Sequence, residues 1–170
     1  MAYQVCFLHF RNGEPTDFAT EPVRQVFQNF GITEFGDPVY VNLPDGLSLD
    51  CYSGGLENEF AGDFSFEFRG VTGSLFDLIF QLCHAGHLVA LAVDTPVLPM
   101  VAHASDMTEI AEGITSEHEP ILCRDGQDVA NVIAPEFGSW QKWAAKRPTS
   151  FDLNSQNLAD QGPDQELGDL

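Results

Sequence analysis

The densest grouping of potential ligands in the chain is Cys83-His84-Ala85-Gly86-His87, with Asp94 and His103 downstream. Thiolate, imidazole and carboxylate together suit a divalent transition metal. A helix that ends inside this run keeps Cys83 and His87 off a common face, and no second ligand pair stands at zinc-like spacing. The alternative is a core Cys83 with His84 and His87 at a helix C-terminus, where the dipole favours an imidazolium. Two glycine-rich runs, Ser53-Gly54-Gly55 and Gly70-Val71-Thr72-Gly73-Ser74, come next. The second opens a helix and could cradle an anion, but it has neither the lysine and spacing of a P-loop nor the third glycine of a dinucleotide fingerprint. A Gly-x-Ser-x-Gly nucleophile elbow is absent, as is an Asp-x-Asp-x-Asp-Gly calcium loop.

Carboxylate pairs such as Glu57/Glu59, Asp63/Glu67 and Glu109/Glu112 are too plentiful to single out an acid–base couple. Trp140 and Trp143, with Lys142, Lys146 and Arg147, form the one basic and aromatic patch, a composition found at binding hot spots.

The elements that must position these groups follow from periodicity. Residues 3–10, apolar in both alternating sets, predict a central strand that Arg11-Asn12-Gly13 ends. Thr20-Glu21-Pro22 predicts a helix start with Thr20 as N-cap; Val23, Val26, Phe27 and Phe30 form its apolar stripe, and Gly31 stops it. From Pro38 the period becomes two: a hairpin turning at Pro44-Asp45-Gly46, then DFSFEFR with Phe64, Phe66 and Phe68 inward. Residues 74–84 predict a helix with a Ser74/Asp77 capping box and a stop at Gly86. A buried strand is expected over 87–93, then an edge or irregular segment around Pro96 and Pro99. A short acidic helix over 105–112, a strand over 120–123, and two helical pieces over 127–134 and 136–146, broken at Pro135 and Gly138, complete the reading. The fold class is α+β, with mixed α/β the alternative: a largely antiparallel sheet packed by two or three helices in a single domain over 1–147. Residues 148–170 hold five acids and no Lys or Arg, and predict a flexible acidic tail in which Phe151, Leu153 and Leu158 dock weakly.

A chain of 170 residues with 44% hydrophobic residues can bury a core without staples. Four widely spaced cysteines, Cys6, Cys51, Cys83 and Cys123, read as reduced buried thiols, and no export or membrane-spanning segment is visible. Cytoplasmic placement is the expectation. The formal net charge is −19, and between Arg24 and Arg124 fifteen acids face a single cation, Arg69. Such a surface disfavours nucleic acid and anionic membrane as direct ligands. It suits a basic protein partner, for which Asp50, Glu57, Glu59, Asp63, Glu67, Asp106, Glu109, Glu112, Glu117, Trp140 and Trp143 are the candidate contacts.

In profile the chain resembles the immunity proteins that bacteria carry against polymorphic or secreted antibacterial toxins: small, acidic, single-domain and without an active-site motif. The resemblance is to overall character over about residues 1–147. It implies inhibition of a cognate toxin acting in the cytosol, by occlusion of a basic active-site or substrate surface, with no cofactor and no catalysis. The alternative is a small metal- or ligand-binding enzyme with its site near Cys83, His84, His87 and His103.

Overall fold

Alternation in the first strand sets the architecture. In β1 (Tyr3–Arg11), Tyr3, Val5 and Phe7 are buried on one face, while Gln4, Cys6 and Leu8 are half-buried on the other. The computed structural model describes residues 2–93 and 97–144, the side chains of 136 and 139–144 excepted. After β1 come β2 (Glu14–Thr16), β3 (Phe18–Ala19), α1 (Glu21–Asn29), β4 (Val39–Asn42), β5 (Ser48–Tyr52), β6 (Phe60–Ala61) and β7 (Asp63–Phe68). The second half supplies α2 (Gly73–Gly86), β8 (Val89–Ala92), β9 (Leu98–Val101), α3 (Glu112–Thr115), β10 (Ile121–Leu122) and α4 (Gly126–Ala144). The contacts divide the chain after Phe137, and the α+β fold is that of Met1–Phe137. The boundary expected at 147/148 and the tail beyond it lie outside the described residues.

The main sheet runs β10-β9-β8-β1-β7-β5-β4, with β2 also on β1 and a separate β3–β6 ladder. Every pair is antiparallel except β9–β10. β1 is central, as its two apolar sets require. Registers Tyr3↔Phe68 and Phe7↔Phe64 set ring against ring with Val5↔Phe66 between them, and Phe7 and Phe64 lie parallel at 4.6 Å. Phe27 of α1 meets Phe64 and Phe66 edge-on at 5.7 and 6.0 Å. Leu75, Leu78, Ile79, Leu82 and Cys83 of α2 are buried, as are Val129, Ile133 and Phe137 of α4, whose ring packs on Tyr3 and Phe68.

The opposite sheet face is divided. Over β8, β9 and the end of β1 it carries a second core, Phe10, Val89, Leu91, Val101 and Ile110, roofed by residues 104–115. Over β7, β5 and β4 the face is polar.

Several sequence expectations are corrected. Ser74 and Asp77 form no capping box: α2 begins after Thr72, and its N-terminus is capped from the hairpin turn, where Asp45 accepts the Ser74 N–H at 2.9 Å and the Thr72 hydroxyl at 3.0 Å. A related cap occurs at α4, where Asp125 accepts the Asp128 N–H at 3.0 Å and Asp128 accepts the Arg124 N–H, one residue before the N-cap, at 2.9 Å. Gly86 does not stop α2; it is the last helical residue, and His87 takes the left-handed position at φ 49°. Gly86 is required by a close approach, since a Cβ there would lie 2.8 Å from Val23 Cγ2. Thr20 precedes α1, but its hydroxyl donates to the Asn58 and Glu59 carbonyls and so ties the 56–59 loop to the helix. β9 is no edge: β10 covers it at Met100 and Val101, beyond Pro99. The 105–112 helix is replaced by a 3₁₀ turn over Ala104–Thr108 followed by α3. α4 is continuous through Pro135 and Gly138 rather than two pieces.

Candidate functional site

The polar half of the sheet is built by strand pairing. Register places Asp50 of β5 directly opposite Glu67 of β7, Glu67 opposite Gln4 of β1, and Tyr40 of β4 opposite Asp50. Directly opposed side chains stand about 5 Å apart, so two carboxylates here repel. Tyr52, on the same face, donates its hydroxyl to Glu67; desolvation and then the charges of Glu67 and Asp50 push its titration up. Tyr40 stands 67% exposed beside them. Arg69 lies at the end of β7, and among the described residues no cation makes an ion pair with Asp50 or Glu67.

Next to this pair a depression of about 330 Å³ has Gln4, Cys6 and Ser65 on its floor and Asp37, Tyr52 and Asp63 on its walls. Asp37 accepts the Gly54 N–H at 3.0 Å, and a Cβ on Gly54 would collide with its carboxylate. The Cys6 thiol is pushed up by burial and then by Asp63, which keeps it protonated. Asp50, Glu67, Asp63 and Asp37 therefore share one continuous acidic face with two tyrosines.

The other candidate acids lie elsewhere. Glu57 and Glu59 are exposed on the loop that Arg24 and Thr20 strap to α1, where Arg24 donates to the Leu56 and Asn58 carbonyls. Asp106 and Glu109 lie in the roof of the second core, and both are engaged: Asp106 with His87, and Glu109 with the Asn12 N–H at 2.6 Å. Glu112 and Glu117 are exposed at α3 and just beyond it. Trp140 and Trp143 fall on α4, and their side chains lie outside the described residues.

The histidines predicted as alternative metal ligands do come together, but as a stack. The His103 ring lies between the other two, stacked on His87 at 4.1 Å and tilted by 34° against His84 at 4.6 Å. Stacked imidazoles point their in-plane lone pairs side by side rather than at a common centre. Two ring nitrogens are already committed, His103 Nε2–H donating to the His84 carbonyl at 2.8 Å and His87 Nδ1–H to Asp106 at 3.3 Å. Cys83 faces the core, its thiol raised by burial and then by the neighbouring Cys123, and does not join the stack. Among the described residues no group of three His, Cys, Asp or Glu side chains is arranged to hold a metal. Asp94 lies outside them.

The glycine-rich run before α2 holds an anion already, the Asp45 carboxylate. Desolvation raises its titration, but hydrogen bonds from Ser74 and Thr72 outweigh that and hold it below the usual carboxylate range. Sequence reasoning missed both Asp45 as a cap and the pairing of Tyr40 and Tyr52 with the acids. Only the hairpin register, fixed by the Pro44-Asp45-Gly46 turn, could have found the second. Among the described residues no helix is long and apolar enough to cross a membrane. No protein-family model matches the chain, and no curated protein or solved structure is significantly similar to it.

Proposed function

We propose that this protein is a cytoplasmic immunity protein that binds a basic toxin domain through the open half of its sheet and blocks the toxin's active-site or substrate surface. The observation that carries the reading is the Asp50–Glu67 pair. Like charges opposed across a ladder cost stability, and among the described residues no cation pairs with them. A cost of this kind is accounted for when a partner's Lys or Arg neutralises the pair on binding. The flanking tyrosines supply broad, rigid contact area with a polar tip, as binding surfaces do. Complementary charge would give fast, salt-sensitive association and exclude acidic or neutral partners. The acidic face disfavours direct contact with nucleic acid or anionic lipid. No catalytic role is assigned.

The test is co-expression with candidate basic toxin domains and capture by the tagged full chain. Expected is a basic protein whose toxicity the wild-type chain neutralises, with retention that falls steeply from low to high salt. Asp50→Lys/Glu67→Lys should fold, yet lose both capture and neutralisation. Failure to retrieve or neutralise a basic partner, or binding indifferent to salt and to the charge reversal, would overturn the reading.

A further inference from the structure

A cleft of about 650 Å³ lies away from the tyrosines of the open sheet face, between the tip of the β1–β2 hairpin, the start of α1, the end of α2 and the 105–109 turn. Its size is that of a pocket for a small ligand or a single inserted side chain. We infer that it receives an arginine side chain of the basic partner, whose guanidinium stacks on His87 and pairs with Asp106 and its neighbouring carboxylates. The source of that arginine rests on the inhibitor reading; the geometry of the cleft does not.

Three independent features converge on a planar cation carried on a methylene stem. The first is the ring stack. His103 stacks on His87 at 4.1 Å while His84 meets His103 at a 34° tilt, and His87, the last ring, lines the cleft with its side chain 53% exposed. No further ring covers it among the described residues, so a flat group can extend the stack. The stack is also held in place before any ligand arrives, by the hydrogen bonds of His87 to Asp106 and of His103 to the His84 carbonyl, which lowers the ordering cost of binding.

The second is charge. Asp17, Asp106 and Glu109 line the cleft, and Asp106 is only 13% exposed. Among the described residues the one arginine or lysine lining it, Arg11, is exposed and makes no ion pair with these carboxylates. The third is the apolar wall of Phe10, Phe18 and Pro22, against which aliphatic carbons can lie. An ammonium lacks the plane for stacking, and a neutral urea lacks the charge. A guanidinium has both, together with the fork that matches a carboxylate.

The probe is Nα-acetyl-L-arginine amide, titrated into the full chain at about pH 8, above the reference titration of histidine, with the histidine ring protons followed by NMR. The citrulline and lysine analogues serve as neutral and non-planar controls. Expected are saturable shifts at His87 and His103 with the arginine probe, none with citrulline, and about tenfold weaker binding with lysine. Asp106→Asn should weaken the arginine probe about tenfold. Arg11→Gln alters an exposed side chain that makes no ion pair among the described residues, so it should leave the fold intact and strengthen binding two- to threefold, on the order expected for removing one nearby like charge. Equal binding of citrulline, or an unchanged affinity in Arg11→Gln, would overturn the inference. The two proposals fail separately: arginine binding without any neutralised toxin removes the inhibitor reading and keeps the cleft. Neutralisation by a chain that ignores the arginine probe does the reverse.

Discussion

Asp50→Asn should stabilise the protein, because it removes the charge of one carboxylate from a pair held together by strand register. At a cross-strand separation of about 5 Å, two unit charges in a water-like dielectric repel by about 0.8 kcal/mol. Substitutions at opposed positions on a sheet change stability by about 0.2–1 kcal/mol, and half-burial of both side chains keeps the estimate near the middle of that range, about 0.5 kcal/mol. Urea unfolding at about 0.01 M ionic strength, where the screening length is about 30 Å, should show the full gain; at about 1 M it falls to about 3 Å, shorter than the separation, and the gain should vanish. Glu67→Gln should give the same result, since the amide oxygen still accepts from Tyr52. The double variant should gain no more than either single one, because removing either charge ends the repulsion, and that non-additivity is the signature of direct coupling. A gain that persists at high salt, or two gains that add, would refute the argument that the pair is strained. In the same variants partner affinity should fall as stability rises, the trade-off expected of a site kept at a cost to the fold.

Asp45→Ala should lose about 1 kcal/mol, the worth of a helix cap. The folded Asp45 carboxyl titrates below its ordinary value, so this stabilisation is complete above about pH 4 and fades as the pH falls through the folded value; melting curves of the two proteins should converge in acid. Gly86→Ala should cost about 1–3 kcal/mol by overpacking against Val23 and Leu88, despite the higher helix propensity of alanine, and chemical denaturation measures it. Cys51 and Cys123 titrate at about 11 and Cys83 higher still, through burial first. The folded protein at pH 8 should therefore leave these three thiols unmodified by a thiol-reactive dye for as long as it stays folded, and react at all four once urea is added.

The elements with a clean period were legible. Phe64, Phe66 and Phe68 alternate against acids and serine, and only one register hides all three rings, so β7 and its inward face follow from spacing alone. The stripe Val23, Val26 and Phe27 does the same for α1. What failed were features decided by distant residues. Ser74 and Asp77 satisfied the capping-box spacing, yet Asp45, twenty-nine residues upstream of Ser74, holds the helix end. Gly86 sits where a helix should stop and is there because α1 passes too close for a side chain. Pro99 argued for an edge, but β10 pairs only beyond it. His84, His87 and His103, grouped from sequence as possible ligands, do lie together, but His103 binds the His84 carbonyl and stacks on His87 instead of converging with them on one point.

Acidity has no period at all, which is why the site was less legible than the fold. A total of −19 treats every carboxylate alike, whereas the structure separates them by what each one meets. Asp37, Asp45, Asp125 and Asp128 accept backbone N–H groups and hold turns and helix ends in place. Neutralising those should unfold local structure before it touches binding. Asp106 and Glu109 join the histidine stack and the hairpin to the roof of the second core and also line the cleft. Asp50 and Glu67 both neighbour Tyr52 and oppose each other across the ladder. Because their opposition costs the fold rather than supporting it, those two carboxylates are where the proposed partner is expected to bind.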